Sequence, residues 1–98
     1  MEKTIRIADV AECTVPECIY NRGSRCYARA VTVGHAEGPE CQTFYSGNHH
    51  AAKREQTAGV GACKVSECRH NDGYQCEAER VYVGYDHNEV ACLTFSRP

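Results

Sequence analysis

Eight cysteines occupy matching places in two copies of one pattern, and that repeat constrains this 98-residue chain more than any other feature. Shifted by 50 residues against itself, the chain matches at Cys13, Val15, Glu17, Cys18, Asn21, Gly23, Cys26, Ala28, Val31, Val33 and Gly34. Their partners are Cys63, Val65, Glu67, Cys68, Asn71, Gly73, Cys76, Ala78, Val81, Val83 and Gly84. One inserted residue then moves the offset to 51, and Cys41, Thr43 and Phe44 meet Cys92, Thr94 and Phe95. Each unit reads C-x4-C-x7-C-x14/15-C, so the thiols come as two quartets. Self-similarity of this kind marks a repeated supersecondary unit.

Apolar content explains why the thiols matter. Val, Ile, Leu and Phe together number 15 of 98 residues. That lies below the share of roughly 20% at which an ordinary core becomes doubtful. Ordering a chain costs about 1–2 kcal/mol per residue for the backbone alone. A small domain short of hydrocarbon needs another staple, either disulfides or a metal. The expected fold class is therefore a small metal-stabilised domain of two tandem pseudo-repeats, with short β elements and turns and little helix.

The expected division is an N-terminal arm at 1–12, a first module at 13–44, a linker at 45–62, a second module at 63–95 and a tail at 96–98. Thr4-Ile5-Arg6-Ile7 alternates and is a possible strand. Val31–Gly34 and Val81–Gly84 are β-rich and end at glycine, so each reads as a strand. Asn21-Arg22-Gly23 and Asn71-Asp72-Gly73 read as turns, since Asn and Gly accept positive φ cheaply. The C-x4-C segment reads as a turn or a single helical turn, with Thr14 to Glu17 in capping-box form. Ala51–Gln56 in the linker could form a short helix.

Four thiols per unit suit one tetrahedral Zn²⁺. The expected ligands are Cys13, Cys18, Cys26 and Cys41 in one unit and Cys63, Cys68, Cys76 and Cys92 in the other, with two Zn²⁺ per chain. Disulfides remain the alternative, with 105 possible connectivities for eight cysteines. They need an oxidising compartment, and the first nine residues contain no apolar export signal. A cytoplasmic setting is expected, with a spore surface as the exception that could oxidise the thiols. Four thiolates also suit iron, although neither familiar cluster spacing occurs. A four-thiolate Zn²⁺ site carries a net charge of −2, so two loaded sites would take the formal charge from −2 to −6.

The remaining residues carry weaker signals. Arg22, Arg25, Arg29, Arg69 and Arg80 lie near the cysteines in sequence and read as solvated charges. His49 and His50 read as linker histidines, while His35 and His87 precede the fourth cysteine of their units. Tyr20, Tyr27, Tyr74, Tyr82 and Tyr85 are expected to cover the metal sites, and Phe44 and Phe95 to plug the core of their units. No catalytic constellation stands out: four thiols would close a zinc site, and Glu17 and Glu67 read as turn residues. An enzyme is not expected. The acidic balance disfavours nucleic acid, and no apolar run is long enough to cross a membrane as a helix.

The run C-x-V-x-E-C-x-x-N-x-G-x-x-C-x-A-x-x-V-x-V-G, followed by C-x-T-F, resembles the bacterial family catalogued as domain of unknown function 1540. The resemblance covers both units, about two-thirds of the chain. It implies four-cysteine, zinc-binding modules carried by the same eight cysteines, and it brings no activity. The function expected is a binding or scaffolding protein with structural zinc and an unknown protein partner. The alternatives are a metal reservoir or thiol redox sensor, and a disulfide-linked structural protein of a spore coat or similar layer.

Overall fold

The computed structural model describes residues 7–35, 38–52 and 55–97. Among them no residue is helical; the chain is strands and turns. Six strands close one barrel. They are β1 (Asp9–Cys13), β4 (Ala30–His35), β5 (Gly38–Cys41), β6 (Gly59–Cys63), β9 (Arg80–Asp86) and β10 (Glu89–Cys92). Two small hairpins sit outside it: β2 (Asn21–Arg22) with β3 (Arg25–Cys26), and β7 (Asn71–Asp72) with β8 (Gln75–Cys76).

Strand order around the barrel is β1-β6-β4-β5-β10-β9, which interleaves the two repeats. The opening strand of each unit leaves its own unit and lies parallel to the long strand of the other. Thus β1 pairs with β9, from Asp9↔Arg80 to Cys13↔Val83. Its counterpart β6 pairs with β4, from Ala30↔Gly59 to Val33↔Cys63. The exchange continues beyond the strands: the Thr14 N–H donates to the Val83 carbonyl at 3.0 Å, and the Lys64 N–H to the Val33 carbonyl at 2.7 Å. Between the opening strands, the Val10 N–H donates to Ala58 O (2.9 Å) and the Val60 N–H to Ala8 O (2.8 Å). A third junction, β5 antiparallel to β10 through Ala91↔Glu40, completes the ring. Closure leaves the barrel sheet without an open edge.

The interior is built from a residue type that composition alone undervalues. Every valine of the chain, nine in all, is buried. β-branched side chains suit strands, and valines alternating with small residues fill a narrow barrel. Val31 and Val33 of β4 match Val81 and Val83 of β9, while Val10 and Val60 do the same work in β1 and β6. The tyrosines behave otherwise: Tyr27 is buried, but Tyr45, Tyr74, Tyr82 and Tyr85 are exposed. Phe44 and Phe95 are half-buried against the core.

The turns fall one residue later than the sequence suggests. Gly23 (φ 59°) and Ser24 (φ 66°) form the two-residue loop of the first hairpin, and Gly73 (φ 59°) and Tyr74 (φ 68°) that of the second. Positive φ at both central positions is the I′ geometry that matches strand twist. His87 and Asn88 make the same turn between β9 and β10. The stretch 45–62 divides: residues 46–51 lie over the first unit, while 59–62 belong to β6. Ala51, Ala52, Glu55 and Gln56 are not helical, and no helix follows the Thr14 cap; residues 4–6 lie outside the described residues.

Candidate functional site

Each C-x4-C segment leaves the barrel as a turn held at its base by an asparagine. Buried Asn21 donates from Nδ2 to the Cys13 carbonyl at 2.6 Å, and Asn71 donates to the Cys63 carbonyl at 2.8 Å. The turn is closed by the Cys18 N–H on Val15 O (3.2 Å) and the Cys68 N–H on Val65 O (3.1 Å). The third cysteine ends the small hairpin, and the fourth ends the last strand of its unit, at Cys41 and Cys92. Two threonines fix that end, since Thr43 Oγ1 accepts the Thr32 N–H and Thr94 Oγ1 the Tyr82 N–H, each at 3.0 Å.

These elements bring each quartet to one cavity. Cys13, Cys18, Cys26 and Cys41 line the first, with Tyr20, Thr43 and Phe44. Cys63, Cys68, Cys76 and Cys92 line the second, with His70, Thr94 and Phe95. Each cavity measures about 10 Å³. That is close to the space of a single water-sized sphere, about 10–15 Å³. The other unit supplies part of each wall: Val83 and Val90 at the first cavity, Val33 and Pro39 at the second. No quartet mixes cysteines of the two units. All eight cysteines are free.

Among the described residues, no three or more His, Cys, Asp or Glu side chains form a ready-made ligand set. The quartets are thus four thiols around one small space and not preformed tetrahedra.

Burial pushes Cys26 up to about 11; the Ala28 N–H opposes that rise, and charge on Cys13, Cys18 and Cys41 adds to it. Burial likewise pushes Cys92 up to about 11, opposed by the Thr94 and Phe95 N–H groups, with Cys76 and Cys68 adding. Cys41 is raised by burial against the Thr43 and Phe44 N–H groups, and Cys76 by burial against Ala78. The geometry therefore aims backbone donors at sulfur, as a thiolate requires.

The same donors recur at equivalent places in the two units: the N–H groups two and three residues on at Cys41 and Cys92, and two residues on at Cys26 and Cys76. The Domain of Unknown Function (DUF1540) family matches residues 12–44 and again 62–95. The chain belongs to that family. It carries the DUF1540 unit twice, as cysteine-rich tandem modules, and the matches take in both quartets. No curated protein and no solved structure matches it. The DUF1540 matches begin at the ends of β1 and β6, yet likeness between the units reaches back to Ala8 and Ala58, both buried.

Arg22 donates from Nε to the Ala51 carbonyl at 2.8 Å, and Arg25, Arg29, Arg69 and Arg80 are exposed. Backbone amides, not arginines, face the sulfurs. Glu17 accepts from the Tyr85 hydroxyl, and Glu67 pairs with Arg97. His87 is exposed beside Asp86 at 2.8 Å, and His50 Nδ1 lies 2.9 Å from Asn21 O. The His35 side chain lies outside the described residues. His70 was the residue to notice: it aligns with Tyr20 at the 50-residue offset, and both line their unit's cavity. No helix among the described residues is long and apolar enough to cross a membrane.

Proposed function

We propose that each DUF1540 unit holds one Zn²⁺ through its four thiolates, and that the protein is a non-enzymatic binding or scaffolding module with structural ions. One observation carries the reading: four cysteines of one unit, and none of the other, wall a space of single-atom size. The donor set suits the ion. Four sulfurs satisfy zinc's preferred number, and backbone N–H groups supply the partners that thiolates need. When bound, the ion would tie together the C-x4-C turn, the small hairpin and the end of the last strand. The chain's own residues position the sulfurs: Asn21 and Asn71 fix the first cysteine, and Thr43 and Thr94 the fourth.

Native mass spectrometry of protein purified under reducing conditions tests this. Two zinc ions per chain and eight free thiols are expected. Mass losses of two hydrogens per bridge would favour the disulfide-linked alternative, and zinc counts above two a reservoir. Either result overturns the proposal.

A further inference from the structure

The two quartets are equivalent in sequence but unequal in access. Cys13, Cys18 and Cys26 are buried, leaving only Cys41 half-exposed in the first unit. In the second only Cys63 is buried, and Cys68, Cys76 and Cys92 reach solvent. Since Cys41 and Cys92 match, the difference lies in Cys68 and Cys76.

Its causes are local. Residues 46–51 strap the first unit: Cys18 pairs with Ser46 as an isolated β-bridge, the Gly47 N–H donates to Glu17 O at 3.2 Å and the Ala51 N–H to Ile19 O at 2.7 Å, whereas the Ile19 N–H bond to Tyr45 O has its counterpart in the Arg69 N–H bond to Ser96 O. Cys26 is followed by Tyr27 and Ala28, both buried. Cys76 is followed by exposed Glu77 and half-buried Ala78. Cys76 also walls a second, outer cleft of about 270 Å³, shared with Ile7, Gln75, Glu77, Ala78 and Glu79. It therefore stands between the inner thiol-lined cavity and an open cleft bearing two carboxylates. On the inner wall, His70 adds a nitrogen donor where the first unit has Tyr20. Imidazole nitrogen with thiolate suits borderline divalent cations.

We propose that the second quartet is an exchange site, where a borderline or soft divalent cation enters and leaves past Cys76, while the first quartet is closed. For cations this rests on the metal reading above; the difference in thiol access does not.

The test treats the full-length reduced protein with limiting iodoacetamide, a neutral probe, and maps modified cysteines by peptide mass. Cys68 and Cys76 should react about tenfold faster than Cys18 and Cys26, since only the latter must wait for local opening. A denatured sample should abolish the difference. Zinc-loaded protein is then given one equivalent of chelator before alkylation, and the newly labelled cysteines should be those of the second unit. Glu77→Tyr with His70→Tyr copies the first unit and should slow labelling of Cys76 toward the rate of Cys26. Tyr27→Glu should speed labelling of Cys26. Equal rates in the two wild-type units, or earlier labelling of Cys18 and Cys26, overturn the inference whether or not zinc is present. If no zinc is found but the labelling order holds, the metal reading fails and the asymmetry stands as one of thiol reactivity alone. Loss of zinc from the first unit first overturns the exchange role.

Discussion

Replacing Gly34 by alanine probes the interleaving directly. Gly34 lies in β4 of the first unit with φ 88°, a conformation that side chains resist. A Cβ there would run into the Cγ2 of Val65, which belongs to the second unit, and would sit 3.0 Å from the Gly38 carbonyl oxygen. Left-handed strain costs about 1–2 kcal/mol. Overpacking a filled site adds roughly 1–3 kcal/mol. Gly34→Ala should therefore cost about 2–5 kcal/mol, and its Tm should fall by at least about 8 °C for a domain of this size. Two controls separate the terms. Gly23→Ala has the φ penalty (59°) with no neighbour within 4 Å, and should cost about 1–2 kcal/mol. Gly38→Ala has neither problem and should lie within about 0.5 kcal/mol of the parent. Urea denaturation of the three variants under reducing conditions gives the order. Val65 also walls the second cavity, so Gly34→Ala should raise iodoacetamide labelling of Cys63 and Cys68. Gly34→Ala proving as mild as Gly38→Ala, or disturbing only first-unit thiols, would refute the strand exchange.

Other outcomes follow from the same geometry. Asn21→Ala removes the donor to the Cys13 carbonyl in a buried site and should cost about 1–3 kcal/mol; Asn71→Ala, at a half-buried site, should cost less, and paired denaturation curves decide it. Cys26→Ser should empty the first site and leave the second loaded, because β4 and β6, which join the units, take their order from the barrel and not from the ion; native mass spectra showing zinc lost from both sites would contradict this. In metal-free protein the raised thiols at Cys26 and Cys92 favour the folded state while protonated. That contribution is complete below the ordinary value of 9.0 and is lost as pH rises toward about 11; a pH series of melting temperatures should fall across that window and not below it.

The repeat, the quartets and the long strands were legible because they leave fixed spacings and β-branched runs in the chain. Strand exchange was not. Val10 and Val60 sit in short segments whose neighbours are small or charged, and nothing in a period-2 pattern says which strand will lie alongside. The strength of the core was also hidden. Counted against 98 residues, nine valines look scarce; with seven placed on strands of one closed barrel, and Val15 and Val65 just beyond β1 and β6, all nine are buried. The tyrosines misled for the converse reason, since size suggested burial while the narrow interior had no room for most of them. The quartets were readable as groups, but their inequality depends on the strap over Cys18 and on Tyr27 against Glu77, which become meaningful only once the units are superposed.

The division of labour between valine and thiol leads to a final prediction. Strands β4 and β9 are paired on both sides and pack valines inward, so their order derives from the barrel. Hairpins β2–β3 and β7–β8 have only two short strands each, and an isolated pair of that kind is marginal in water. They attach where Cys13 and Cys63 donate their N–H groups to Ser24 O and Tyr74 O, both at 2.9 Å, and where Cys26 and Cys76 enter the quartets. A bound ion would therefore act mainly on the hairpins and the C-x4-C turns. On chelation, hydrogen exchange should accelerate first in 21–26 and 71–76, the second unit leading, while β4 and β9 keep their protection. Uniform loss across the chain would mean that the ions, and not the valines, hold the barrel closed.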